Sequence, residues 1–285
     1  MIKLSAFADE ADSLLEGQIE ALKRNGIEYI ELRGINGVNI AKISLEDARL
    51  YKKQLDENGI RVWSIGSPLG KVDIDCDFKE YKDTVAHVCR LAQIFDTKRI
   101  RIFSFFNSAD KEQEVCLRLC EMVKIAADFG VELCHENEKL IFGDTVERVL
   151  KLRGQVEGLK LVYDPANFIE VGEDPERTLD SLHSLTDYFH IKDVIKESGE
   201  LVPAGYGDGR IAELIARIPP DCEKVLTVEP HLAVFEGYSE IDKSEMKNKF
   251  SFESNNEAFD TAVSALKKLL SESGYIERNG GFYKL

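Results

Sequence analysis

The sequence of 285 residues carries 37 Lys and Arg against 52 Asp and Glu, a formal charge of −15 at neutral pH. Such a surface repels phosphate backbones and anionic lipid, which argues against nucleic-acid and membrane partners, and no run reaches the roughly 18 apolar residues of a membrane span. A composition 44% hydrophobic and 31% charged supplies core material for one large domain or two ordinary ones, and excludes disorder as the default.

The first eleven residues hold one Lys, two acids and no long apolar stretch, so no export signal is read there and a first strand is expected at residues 3–7. After it a phrase recurs: amphipathic helix, glycine, aliphatic residue, polar residue, strand. It stands at Gly26-Ile27-Glu28-Tyr29, Gly59-Ile60-Arg61-Val62, Gly130-Val131-Glu132-Leu133 and Gly158-Leu159-Lys160-Leu161, at spacings of 33, 71 and 28 residues. The double spacing predicts a further unit at Asp96-Thr97-Lys98-Arg99. Each glycine falls just past a helix, where a left-handed residue closes the last turn. Ser13-Leu14-Leu15-Glu16 and Ser44-Leu45-Glu46-Asp47 predict helix N-caps followed by an acid. Apolar residues at three-to-four spacing predict helices over 45–58, 81–95 and 112–129.

The strands predicted in this way cover residues 3–7, 29–32, 62–65, 99–103, 132–135, 160–163, 188–192 and 225–229. Strands alternating with helices in a chain of this size predict an α/β fold, a single-domain (β/α)8 TIM barrel over residues 1–270. A doubly wound sheet would carry a Gly-rich phosphate loop after its first strand; here Ala8-Asp9-Glu10 follows instead. Two stretches exceed the repeat. Residues 232–253 read as a loop over the C-terminal face, and 271–285 as a C-terminal tail with no assigned structure. The six cysteines form no C-x-x-C pair; Cys116 and Cys120 share a helix face, and all six read as reduced in a cytoplasmic protein.

In such a barrel the chemistry lies at the C-terminal strand ends. Those ends carry Lys71 after strand three, His135-Glu136-Asn137-Glu138 after strand five, Asp164-Pro165-Ala166-Asn167 after strand six, His190-Ile191-Lys192-Asp193 at strand seven and Glu229-Pro230-His231 after strand eight. Taken singly, each is compatible with a solvated charge, a turn residue or a packed histidine. Together, Glu136, Asp164, His190 and Glu229 end four successive strands. Three carboxylates and an imidazole gathered without a counter-charge are costly, and one divalent ion (Mn²⁺, Mg²⁺, Co²⁺ or Zn²⁺) would relieve that cost. The strand period of two puts Lys192 beside His190 and His231 beside Glu229, where both could line one cavity. Lys71 could hold a substrate anion.

At these residues the chain resembles the sugar phosphate isomerase/epimerase family of xylose isomerase-like TIM barrels. The matching segments are His135-Glu136-Asn137-Glu138, Asp164-Pro165-Ala166-Asn167-Phe168, His190-Ile191-Lys192-Asp193, Gly205-Tyr206-Gly207-Asp208-Gly209 and Glu229-Pro230-His231-Leu232, in the expected order, with Ser67-Pro68-Leu69-Gly70-Lys71 earlier. The resemblance implies that Glu136, Asp164, His190 and Glu229 bind one divalent metal, and that Glu136 and Glu229 are the catalytic pair. They would move a proton through a metal-bound enediolate of a small carbohydrate: a sugar, sugar phosphate or cyclitol. Lys71, Asn167, Lys192 and His231 are the expected substrate-binding residues. Asn167 stands where many relatives carry a substrate-contacting His, and Ile195 and Lys196 occupy the stretch where epimerases place an Arg. A keto-polyol dehydratase and a non-catalytic sugar-binding barrel are the alternatives on the same scaffold. The nuclease branch, with three zinc ions and many histidines, fits poorly with five His in all. Assembly as a homo-oligomer is left open.

Overall fold

In the computed structural model, strand β1 (Ile2–Ala6) pairs in parallel with β2 (Tyr29–Leu32) on one side and with β8 (Lys224–Val228) on the other, and this second pairing closes the sheet. Between them run β3 (Arg61–Gly66), β4 (Arg99–Ile102), β5 (Glu132–Glu136), β6 (Lys160–Tyr163) and β7 (Tyr188–Ile191), each hydrogen-bonded to its predecessor in sequence. The structure describes residues 1–235 and 246–284. The outer helices are α1 (Leu15–Arg24), α2 (Leu45–Glu57), α3 (Phe78–Ile94), α4 (Glu112–Asp128), α5 (Val146–Gln155), α6 (Pro165–Glu170), α7 (Pro175–Leu182), α8 (Ile211–Ala216) and α9 (Asn255–Glu272). The fold is the expected (β/α)8 barrel, with each predicted strand present to within one or two residues.

Strand alternation divides the packing into two layers. Ile100 and Ile102, Leu133, Leu161 and Tyr163, Phe189, Leu226 and Val228 join the large core between barrel and helices. Their neighbours Cys134, Val162, Tyr188 and Val225 form a small inner cluster with Trp63. Continuing each inward row towards the C-terminal end leads to Glu136, Asp164, His190 and Glu229. Apolar residues therefore fill the lower barrel, and the upper interior is left to polar groups.

The glycines of the repeated phrase adopt the left-handed conformation, with φ of 64°, 73°, 71° and 85° at Gly26, Gly59, Gly130 and Gly158. In the fifth unit Asp96 takes the same role at φ 54°, which explains why no glycine marks it. Ser44 caps α2 by accepting from the Asp47 N–H at 3.0 Å. Ser13 does not cap α1. The cap residue is Leu14, and the first donors of that helix are served by Asp12 and Asn36, which accept from Leu14 and Leu15 at 2.8 and 3.0 Å.

Residues 271 to 284 form regular structure. Helix α9 runs to Glu272, and β9 (Tyr275–Arg278) and β10 (Gly281–Lys284) form a hairpin that adds antiparallel to β1 through Ile2 and Phe282. Its turn, Asn279-Gly280, has φ of 48° and 71°, the double positive angle of the tightest hairpin connection. Of the loop expected over residues 232–253, the part from 236 to 245 lies outside the described residues. All six cysteines are free; Cys89, Cys116 and Cys134 are buried and the others half-buried. No helix among the described residues is long and apolar enough to cross a membrane.

Candidate metal centre

Four of the residues singled out from sequence meet at the C-terminal mouth of the barrel. Glu136 is the last residue of β5, His190 lies in β7, Asp164 caps α6 and Glu229 follows β8. Each offers one ligating atom, and these atoms lie within 4.8 Å of one another. His190 Nδ1 is 3.1 Å from Glu136 Oε1 and 2.9 Å from Glu229 Oε2. All four are buried, and Asp164 Oδ2, His190 Nδ1 and Glu229 Oε2 make no hydrogen bond. Buried ligand-type atoms that make no hydrogen bond and converge within 4.8 Å, with the Lys192 ammonium 3.0 Å from Asp164 Oδ2 at their edge, are what a cation site requires. This donor set, three carboxylates and an imidazole, fits a divalent ion of the first transition row or Mg²⁺.

The electrostatics point the same way. Burial alone would lower the His190 pKa, but the charges of Glu136, Glu31 and Glu229 outweigh it and hold the imidazole well above its ordinary value. Burial pushes the Asp164 carboxyl up to about 7, against the pull of the Lys192 ammonium. Burial would also raise Glu229; the charge of His190, then that of Lys192, keeps it well below the carboxylate range. The cluster thus draws positive charge onto whatever group can carry it.

A second layer of side chains fixes the four. Glu31, on β2, faces the interior and lies 3.2 Å from His190 Nε2, while the Tyr188 and Thr227 hydroxyls donate to it at 2.9 and 3.1 Å. With Nε2 engaged by Glu31, Nδ1 is the nitrogen presented to the centre. Arg33 holds Glu229 Oε1 at 3.0 Å and Arg101 lies 3.3 Å from Glu136 Oε2, so each glutamate has one oxygen engaged by a guanidinium. Asn137 ties β5 to β6, donating to the Asp164 carbonyl and accepting its N–H at 2.8 and 2.9 Å.

The four residues expected to bind substrate surround this centre. Lys192 is buried, 3.0 Å from Asp164 Oδ2, and donates to Asn167 Oδ1 at 2.7 Å. Asn167 in turn donates to Glu136 Oε1 at 3.3 Å and to the Asn137 carbonyl at 2.9 Å. Lys71 pairs with Glu138 at 2.8 Å above the Phe103 ring. His231, at φ 45°, stacks on Phe235, and its N–H donates to Glu10 Oε2 at 2.8 Å. His135 points away from the centre: its Nε2 is 3.0 Å from the Ser104 hydroxyl, and burial pushes its pKa down to about 3.

Sequence reasoning missed Glu31, Arg33, Arg101, Asp9 and Glu10. The first three had a readable signal. A charged residue on the inward row of a barrel strand, or directly after that strand, must be neutralised by something inside.

The chain belongs to the xylose isomerase-like TIM barrel family, whose pattern matches residues 19–231. No curated protein matches the sequence. Among solved structures it is similar to the probable 3-DHS dehydratase AsbF of Bacillus anthracis, with 18% identity, a TM-score of 0.71 and coverage of 94% of this chain and 99% of that one. The IolI protein with a bound zinc atom gives 16% identity, a TM-score of 0.70 and coverage of 95% and 99%. The D-allulose 3-epimerase of a Methylomonas species gives 15% identity, a TM-score of 0.73 and coverage of 94% and 98%. At these identities the likeness is one of fold.

Proposed function

We propose that this protein is a divalent-metal-dependent isomerase or epimerase of a sugar, sugar phosphate or cyclitol, working by proton transfer. The observation that carries the reading is the pair Glu136 and Glu229, which lie 3.1 and 2.9 Å from His190 Nδ1, each with its other oxygen engaged by an arginine. A divalent ion held by Glu136, Asp164, His190 and Glu229 would polarise a substrate carbonyl and make the adjacent C–H acidic. One glutamate then takes that proton, and the other returns a proton to the opposite face or to the neighbouring carbon. Lys192, Asn167, His231 and Lys71 orient the hydroxyls, and burial of the centre keeps bulk water from the carbanionic carbon. The six free thiols support a reducing, cytoplasmic setting.

A dehydratase reading rests on Lys192, whose ammonium sits 3.0 Å from Asp164 and can protonate a departing hydroxyl next to the same acidified carbon. One assay separates the two. Metal-loaded enzyme is incubated in D₂O with ketoses, their phosphates and keto-cyclitols. Deuterium entering an intact isomer supports the isomerase, and loss of water from the product supports the lyase. Glu229→Gln is expected to abolish exchange with metal still bound; an unchanged exchange rate overturns the role given to Glu229.

A further inference from the structure

Beside the metal centre lies a second group of convergent ligands. Glu10, Glu229 and His231 are buried, and each offers one ligating atom within 4.8 Å of the others, so Glu229 faces both groups. A guanidinium fills the space between them. Arg33 Nη2 donates to Glu10 Oε1 at 3.1 Å, Nη1 donates to Glu229 Oε1 at 3.0 Å, and Nη1 lies 3.5 Å from His231 Nε2. Its remaining donors form a two-pronged pair with Asp9, Nε to Oδ2 and Nη2 to Oδ1, both at 2.9 Å. Phe7 and Phe235 lie 4.3 and 4.8 Å from the guanidinium carbon. The Asp9 fork fixes the plane of the group before it reaches Glu229, as no flexible ammonium could.

We infer that Arg33 is the built-in cation of a second metal position, and that its guanidinium between Glu10, Glu229 and His231 keeps the centre mononuclear. Two consequences follow. Glu229 Oε1 is taken by Arg33, so Oε2, which makes no hydrogen bond, is the oxygen left for the ion shared with His190. A second divalent ion would have to displace a cation already held by three carboxylates. Arg33 is therefore a positioning residue. It sets the nuclearity of the site and the oxygen by which Glu229 binds, without itself touching the reacting carbon.

The inference rests on reading Glu136, Asp164, His190 and Glu229 as the metal centre, and its test separates the two ideas. Wild type, Arg33→Ala, Arg33→Lys and Asp164→Ala/His190→Ala are stripped with chelator, equilibrated with excess Mn²⁺ or Zn²⁺, passed through a desalting column and counted for metal. The expected numbers are one ion per chain for wild type and Arg33→Lys, two for Arg33→Ala, and none at the first site in the double variant. A folded Arg33→Ala chain that holds only one ion overturns the role of Arg33 while leaving the four-ligand centre standing. Two tight ions in wild type overturn it as well. No ion in wild type removes the centre and the inference together. If Arg33→Ala is unfolded without metal, added Mn²⁺ must restore its circular dichroism; failure to do so means that an ion cannot refill the guanidinium position.

Discussion

Glu31 Oε2 lies 3.2 Å from His190 Nε2, and this one contact decides which nitrogen the imidazole presents to the barrel mouth. The glutamate is itself held by Tyr188 and Thr227, so three inward-facing strands cooperate to aim a single ring.

Replacing Glu31 by Gln keeps an acceptor for those hydroxyls but removes the charge behind His190. Outer-shell changes of this kind cost about 10–100-fold in metal affinity, and that is the expected loss, measured by competition with a chromophoric chelator. Glu31→Ala should in addition lower stability by about 1–3 kcal/mol, because two buried hydroxyls lose their acceptor.

Gly70 sets the path of the loop that carries Lys71. Its φ is +88°, and a Cβ there would fall 2.1 Å from the Phe103 carbonyl oxygen. Gly70→Ala is expected to cost about 1–2 kcal/mol in backbone conformation and about 1–3 kcal/mol more in forced displacement. Urea denaturation reads the loss. A variant as stable as wild type would mean that the loop does not pass against Phe103.

His183 supplies a pH dependence remote from the metal centre. Burial lowers its pKa in the folded state, and its Nε2 lies 3.0 Å from the Leu214 carbonyl. The unfolded chain therefore takes up this proton first on acidification. The contribution of His183 is present above its unfolded pKa of about 6.5 and is lost as the pH falls through the interval down to the depressed folded value. Thermal denaturation between pH 7.5 and 5.5 should show a smaller acid-induced drop for His183→Gln than for wild type; parallel curves would contradict the assignment.

The C-terminal hairpin adds to the N-terminal end of β1. Phe282 is buried and pairs with Ile2. Its replacement by Ala should destabilise the fold by about 3 kcal/mol, leaving metal affinity at the opposite end of the strands unchanged. A loss of metal binding without a loss of stability would contradict this division of the molecule.

The strands and the convergent set were legible in the sequence because both follow from local rules. A left-handed residue after each of α1 to α5, glycine at four and Asp96 at the other, and a two-residue alternation fix the strand ends, and the strand ends fix Glu136, Asp164, His190 and Glu229. The rest depends on contacts between distant segments. Arg33 acquires its meaning from Asp9, Glu10 and Glu229, which lie 24, 23 and 196 residues away. Glu31 in Tyr29-Ile30-Glu31-Leu32 reads as the solvated side of a half-buried strand until the barrel closes around it. Ser13 fits the cap pattern, yet Asn36, from the loop after β2, supplies the acceptor instead. The hairpin signal Asn279-Gly280 was local and readable; what sequence alone lacked was the N-terminal end of β1 at Ile2, which β2, pairing only with Ser5 and Ala6, leaves to the hairpin.

Metal content reads out whether Glu136, Asp164, His190 and Glu229 together hold an ion. Elemental analysis is made on wild type and on Asp164→Ala/His190→Ala, both purified without chelator or a metal-binding tag. One divalent ion per wild-type chain is expected, lost in the double variant. No ion in either protein, even after addition of Mn²⁺, Co²⁺ and Zn²⁺, would contradict it and leave Glu136 and Glu229 without the Lewis acid that their proton transfer needs.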